Sequence, residues 1–249
     1  MSRLGIIGGT GLTALEGLKV TRRTVSHTPY GEPSAPLTYG DLNGKEVAFL
    51  PRHGASHTIP PHKINYRANI QALSDAGITD IIAVAAVGGI SEEMAPGRLA
   101  VPDQIIDYTW GRKSTFFEDG QSPVVHIDFT HPYDQRLREM ILQAASKEGI
   151  DIVSSGVYGA TQGPRLETAA EIARMERDGC TLVGMTGMPE AALAREVEIN
   201  YACIAVSANW AAGKTSEVIT MESIEQTIRD GMARVRSLLA RVIERMDEN

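Results

Sequence analysis

The chain has 249 residues, 43% of them hydrophobic and 22% charged, with a formal net charge of -7 and a pI near 5.4. That length and apolar share are enough for one sizeable α/β core, and the acidic balance argues against nucleic-acid or anionic-membrane partners, which reward clustered Lys and Arg. Two cysteines, Cys180 and Cys203, form neither a disulfide framework nor a Cys-based metal motif; with no apolar leader in MSRLGIIGGTGL and no window of membrane-spanning length, the expected location is the cytoplasm.

Residues 4–7 read as a short buried strand that runs into Gly8-Gly9-Thr10-Gly11. Such a turn lets backbone N–H groups approach a phosphate, and the Thr10 hydroxyl adds a donor. Residues 9–14 also fit the dinucleotide fingerprint G-x-G-x-x-A of an NAD(P)-binding oxidoreductase. Against that, residues 15–25 are not a clean amphipathic helix, and no acidic residue ends a second strand at the expected distance. Residues 47–50 form the next strand, which delivers Arg52 and His53 to a loop holding His57 and His62. Arg52 suits bidentate binding of an oxyanion. A metal on His53, His57 and His62 is the rival reading. Gly54, Pro60 and Pro61 argue against the helix that an i, i+4 pair needs, and no carboxylate completes the set, so no metal is expected.

Residues 63–76 read as an amphipathic helix with Tyr66, Ile70 and Leu73 on one face and Gly77 as its stop. Residues 80–87 (DIIAVAAV) are a continuous apolar run, as expected at the centre of a parallel sheet, and end at Gly88-Gly89. Residues 98–108 are β-rich and broken by Pro102. Residues 110–122 are loop-like. Residues 126–133 are irregular and exposed-looking for their aromatic content, which suits either docking on a partner subunit or a plain surface loop. A helix follows over 134–147. Residues 151–153 are a β-rich lead-in to a glycine-rich turn.

After Gly163-Pro164-Arg165, Thr168 and Glu171 form a capping box for a helix ending near Gly179. Leu166 and Glu167 therefore sit just before a helix N-terminus, where loops often hold ligand contacts. Glu167 either complements the helix dipole or faces a ligand that carries N–H donors. Residues 181–185 are a strand, 186–190 a turn with Pro189 at the first helical position, and the helix runs to about Glu198. Residues 201–208 are a buried strand delivering Asn209-Trp210-Ala211. Residues 221–246 form a long amphipathic helix whose core face is Ile224, Ile228, Val235, Leu238, Val242 and Met246. Alternating β and α predicts one α/β domain over 1–249, with a mixed, mostly parallel sheet flanked by helices.

In open α/β sheets, ligands sit at strand C-terminal ends. Thr10, Arg52 with His53, residues 86–89, Thr186 and Asn209 all lie there. They can converge on an anion site beside a polar, planar site made by Glu167 and Asn209. No Ser-His-Asp or Cys-His arrangement has a nucleophile elbow around it. That fits a reaction in which a bound anion is itself the nucleophile.

The motifs Ile7-Gly8-Gly9-Thr10-Gly11, Pro51-Arg52-His53-Gly54, His57-Thr58-Ile59, Asn65-Tyr66-Arg67-Ala68-Asn69-Ile70, Gly163-Pro164-Arg165 and Met185-Thr186-Gly187-Met188-Pro189-Glu190 resemble, in order and over nearly the whole chain, the trimeric purine nucleoside phosphorylase / methylthioadenosine phosphorylase family. The resemblance implies that phosphate attacks C1′ of a purine nucleoside and releases the free base and a ribose 1-phosphate. It implies inorganic phosphate as co-substrate, no further cofactor, and a homotrimer. Thr10, Arg52, His53, Ala86 and Thr186 would bind phosphate; Ala85 stands where the family often has Thr, so one hydroxyl is missing. Met185 would lie under the ribose. Glu167 and Asn209 would bind the base, with Leu166 and Val87 near its faces and Trp210 and Ala211 beside it. Arg52, His53, Glu167 and Asn209 are the expected catalytic set. Phosphate stabilises an oxocarbenium-like ribosyl group, and donors to the base stabilise the departing purine.

Two departures point to the substrate. Methylthioadenosine phosphorylases carry Asp-x-Asp where this chain has Asn209-Trp210-Ala211, and Ser where it has Glu167. Glu with Asn resembles the 6-oxopurine enzymes: hypoxanthine donates N1–H to Glu167 and accepts at O6 from Asn209, whereas adenine would turn a bare N1 acceptor to the carboxylate. At the 5′ end, the inosine enzymes carry a His ahead of the C-terminal helix, and residues 214–221 contain none. Val218, Met221 and Ile224 would line that end with apolar groups, which suit a thioether better than a hydroxyl; ordinary helix core is the other reading of Met221 and Ile224. His126 matches a residue that neighbouring subunits contribute in methylthioadenosine enzymes. Together these predict S-methyl-5′-thioinosine as substrate and hypoxanthine and 5-methylthioribose 1-phosphate as products, ahead of S-methyl-5′-thioadenosine or inosine and guanosine.

Overall fold

The computed structural model of the chain describes residues 3–118, 120, 123–216 and 220–246. The chain opens with β1 (Leu4–Gly8), β2 (Lys19–Thr24), β3 (Leu37–Leu42), β4 (Lys45–Pro51), α1 (Tyr66–Asp75) and β5 (Asp80–Gly89). It continues through β6 (Leu99–Ala100), β7 (Gln104–Asp107), α2 (Gln135–Glu148), β8 (Ile152–Val153), β9 (Val157–Ala160) and α3 (Ala169–Arg177). It closes with β10 (Leu182–Gly184), α4 (Gly187–Glu196), β11 (Asn200–Trp210) and α5 (Met221–Arg245).

The apolar run of β5 is the spine. β1 lies parallel to its first half, with Leu4 opposite Asp80 and Ile7 opposite Ala83. β11 runs parallel along its other edge, and β10 pairs antiparallel with its end. Outward from β1 come β4 (parallel), then β3 and β2 (both antiparallel). Outward from β10 come β9 and β7, both parallel, while β6 joins β11 to β8. The result is the expected mixed, mostly parallel sheet, of eleven strands among the described residues. Side-chain alternation sorts the central strands between two cores. Leu4, Ile6, Ile82, Val84 and Ile204 cluster with Leu137 of α2 and Val235 of α5. Ile7, Ala83, Ala85 and Cys203 cluster with Tyr66 and Ile70 of α1 and Ala191 of α4.

Local signals explain most element ends. Asn65 accepts from the Ala68 N–H and caps α1, so the helix starts three residues later than its apolar pattern; Lys63 ends a short 3₁₀ turn instead. Asp134 caps α2, and Gly149 ends it at φ 66°. The capping box of Thr168 and Glu171 opens α3 with both reciprocal bonds formed. Met188 is extended (φ -121°, ψ 139°), so the regular turns of α4 start at Pro189. On α5, Ile224, Ile228, Val235, Leu238 and Val242 are buried as expected, while Met246 is half-buried at the C-cap.

Two expectations are corrected, and two strands are new. The glycine turn after β1 leads through further turns to β2, with no helix to receive a pyrophosphate, which removes the dinucleotide reading. The stretch expected to be a glycine-rich turn after β8 contains β9, because β10 and β7 supply ladder partners on both sides; tertiary pairing overrides weak propensity. β2 and β3 went unforeseen: β2 is exposed throughout and carries no apolar alternation. No helix among the described residues is long and apolar enough to cross a membrane.

Candidate active site

A cleft of about 340 Å³ opens at the C-terminal ends of β1, β4, β5 and β11 and at the junction of β10 with α4. Of the residues expected to build a site, it is lined by Thr10, Arg52, His53, Ala85, Ala86, Val87, Leu166, Glu167, Met185, Thr186, Asn209, Ala211 and Ile224. Gly9 lines it too, and backbone approach there requires glycine: a Cβ would sit 2.5 Å from the Val84 carbonyl and 3.0 Å from Arg52 Nη1. At Gly11, φ is 83° and a Cβ would meet Ile228 Cγ2 at 2.3 Å. The turn after β1 is thus pressed between the sheet and the start of α5.

One end of the cleft is cationic and polar. Arg52 is 1% exposed, and its fork is already filled. Nε and Nη2 donate to Glu190 at 2.7 Å each, and Nη1 donates to the Val84 carbonyl at 3.0 Å. Glu190, wholly buried, also accepts from Tyr201 at 2.8 Å. Burial works against the guanidinium charge, but the Glu190 carboxylate outweighs it and raises the Arg52 pKa. A buried lone guanidinium would be prohibitive; the bidentate partner expected to be a ligand oxyanion is therefore an internal carboxylate. Of the five guanidinium N–H groups, these bonds use three and leave one on Nη1 and one on Nη2.

His53 sits beside it. Its Nδ1 lies 2.8 Å from the Ile59 carbonyl, and since a carbonyl only accepts, Nδ1 carries the hydrogen. Burial first, then the Arg52 charge, pushes its pKa down to about 4. The neutral ring therefore offers Nε2 as an acceptor. His57 stands edge-on to His53, with ring centroids 4.6 Å apart, and its Nε2 is 3.3 Å from the Thr10 hydroxyl. Among the described residues no group of three or more His, Cys, Asp or Glu is arranged to hold a metal ion. Thr186 is buried at the start of α4 and makes no side-chain capping bond there.

The other end is half-open. Glu167 Oε1 accepts from the Thr161 hydroxyl at 2.6 Å. Asn209 reaches the cleft through a bulge in β11: the register with β5 shifts between Ser207 and Asn209. Ala208 and Asn209 then both line the cleft, where plain alternation would send one of them away. Asn209 Nδ2 donates to the Trp210 carbonyl at 2.7 Å, which leaves Oδ1 and one N–H. Trp210 itself is outside the lining; it takes the next position of the alternation, and only its carbonyl serves the site. Val87, Val183 and Ala211 also line the cleft, and Ile224 and Ile228 of α5, the latter against the turn at Gly11, add apolar surface. Val218 and the Met221 side chain lie outside the described residues. His126 is exposed and does not line the cleft of its own chain.

The sequence reading missed Arg112. Its guanidinium donates to the carbonyls of Thr161 (3.1 Å), Gln162 (2.9 Å), Met185 (2.9 Å) and Met188 (2.5 Å), to Tyr66 Oη (3.1 Å) and to Gln162 Oε1 (3.2 Å). It ties the Glu167 loop to the segment under the cleft. A lone Arg in a loop has no periodicity that could reveal this.

The sheet thus gathers a buried Arg–His pair and a carboxylate–amide pair at one set of strand ends. The chain belongs to the Phosphorylase superfamily, whose model matches residues 3–244. It is 56% identical over 243 residues to a protein of Pseudomonas syringae pv. tomato named probable S-methyl-5′-thioinosine phosphorylase, covering 98% of this chain and 99% of that one. It is 44% identical over 234 residues to the 6-oxopurine nucleoside phosphorylase of Pyrococcus furiosus, covering 92% and 87%. Among solved structures, methylthioadenosine phosphorylase from Schistosoma mansoni in complex with adenine superposes with a TM-score of 0.96 at 32% identity, covering 100% of this chain and 93% of that one.

Proposed function

We propose that this enzyme is a pentosyltransferase that cleaves S-methyl-5′-thioinosine with inorganic phosphate, giving hypoxanthine and 5-methylthioribose 1-phosphate. The observation that carries the reading is that Glu167 and Asn209 share one cleft with Ile224 and Ile228. A 6-oxopurine fits the first pair and a thioether the second. Phosphate is held by the turn at Gly9 and Thr10, the backbone at Ala86, the spare Arg52 N–H groups and Thr186. His53 accepts a hydrogen from a protonated phosphate oxygen at Nε2. The phosphate oxygen forms a bond to C1′ as the bond from C1′ to N9 breaks, and the electron pair leaves with the purine. As the pair leaves, the purine takes up a proton from solvent at N7; Asn209 Oδ1 holds that N7–H, its amide donates to O6, and Glu167 accepts from N1–H. Ionic and dipolar groups aimed at developing charge stabilise this transition state more than the bound substrate.

The naming of the Pyrococcus furiosus relative favours a second reading, a general 6-oxopurine nucleoside phosphorylase. One experiment separates them: phosphate-dependent base release from S-methyl-5′-thioinosine, S-methyl-5′-thioadenosine and inosine, side by side. The first should lead. Equal rates with inosine would reject the apolar 5′ end; a lead by S-methyl-5′-thioadenosine would reject the roles of Glu167 and Asn209. We further infer a cytoplasmic homotrimer. Its support is the exposure of Val124, Val125 and His126 on one stretch, suited to completing a neighbour's cleft. A monomeric mass in light scattering would contradict it.

A further inference from the structure

Thr161 follows β9 and is 7% exposed. Its hydroxyl donates to Glu167 Oε1 at 2.6 Å, and the Gly184 carbonyl, 3.2 Å away, is its other acceptor. Its backbone is fixed on both sides: its N–H donates to the Gly184 carbonyl at 2.8 Å, and its own carbonyl accepts from Arg112 Nη2 at 3.1 Å. Among the described residues the Glu167 carboxylate accepts no other hydrogen bond, so Oε2 is left for a ligand.

We propose that Thr161 is a specificity-determining positioning residue: it holds Glu167 so that the oxygen left for the ligand only accepts hydrogen bonds. The proposal rests on the reading of Glu167 as the group that contacts the base. The argument is one of proton placement. With the carboxylate ionised, Thr161 donates to Oε1 and Oε2 accepts. With the carboxyl protonated, a proton on Oε1 has a partner in the Thr161 oxygen, whose own hydrogen turns to the Gly184 carbonyl. Oε2 accepts again. A 6-oxopurine offers N1–H to that oxygen; a 6-aminopurine offers a lone pair and is refused in both states. Without the hydroxyl, a protonated Glu167 is free to turn its O–H outward and donate to N1 of a 6-aminopurine.

The test is equilibrium binding of hypoxanthine and adenine at one neutral pH, with phosphate present, in the wild type and in Thr161→Val, Thr161→Ser and Glu167→Gln. Valine keeps the shape, and the backbone bond from residue 161 still satisfies the Gly184 carbonyl; Thr161→Ala takes its place if the valine variant does not fold. Thr161→Val should lose about tenfold of the hypoxanthine-over-adenine preference, the scale of one hydrogen bond to a charged group. Thr161→Ser should restore the ratio. A wild-type ratio in Thr161→Val, with a collapsed ratio in Glu167→Gln, overturns the role of Thr161 and leaves the base reading intact. An unchanged ratio in Glu167→Gln overturns both.

Discussion

The two ends of the cleft are held in opposite ways. At the anion end, Arg52, Glu190 and Tyr201 are tied to one another in the interior, and His53 is tied to Ile59. At the base end, Glu167 and Asn209 are half-buried and make one side-chain hydrogen bond each, and Leu166 beside them is 48% exposed. The difference is physical before it is functional. A guanidinium taken out of water has to be matched by a carboxylate and cannot be altered alone. A half-exposed carboxylate can be replaced with water filling in. The Arg52 end is thus fixed by folding itself, whereas the Glu167 end, which we propose reads the base, can be retuned by one or two side chains.

The strongest way to break that contrast is Glu190→Ala. It leaves Arg52 buried without a counterion and should lower stability by about 3–5 kcal/mol, read as a drop in the urea midpoint. A variant within about 1 kcal/mol of wild type, the scale of a surface pair, would mean that the anion end is not held by this pair.

A smaller effect on stability, and a larger one on choice, is expected at the other end. Glu167→Ser with Asn209→Asp should unfold at nearly the wild-type midpoint. Its preference should move toward the 6-aminopurine nucleoside by about a hundredfold, since a site built on hydrogen-bond pairing rejects the mismatched pattern strongly. Relative kcat/KM values on S-methyl-5′-thioinosine and S-methyl-5′-thioadenosine measure it. A stable double variant with an unshifted ratio would remove these two residues as readers of the base.

The same contrast explains what could be read from sequence. The capping box at Thr168, the apolar run of β5 and the buried face of α5 are local patterns with a fixed period, and each forms where its residues predict. Strand-end placement was enough to gather Thr10, His53, Thr186 and Asn209. The partner of Arg52 lies 138 residues away, so its internal neutralisation by Glu190 left no mark on the pattern around residue 52. The bulge between Ser207 and Asn209, which brings Ala208 and Asn209 to the same cleft, depends on register with β5, which alternation alone does not fix. Arg112 and Thr161 act through carbonyls and one carboxylate reached only in the fold.

The mildest test concerns His53 and sharpens the claim that the anion end is set by folding. Its pKa falls from 6.5 to about 4 in the folded chain, first through burial and then through the Arg52 charge. Between those values the unfolded chain binds a proton that the folded chain refuses. Stability is therefore fully present above about pH 6.5 and declines as pH falls toward 4. One pH unit inside that window costs about 1.4 kcal/mol at most, so this group should remove roughly 1 kcal/mol by about pH 5.5. Other groups titrate nearby, and the useful quantity is a difference: the pH slope of stability in wild type minus that in His53→Gln. A positive difference across the window is expected. Equal slopes would mean that the folded chain binds the His53 proton as readily as the unfolded one, and that burial beside Arg52 does not hold the ring neutral.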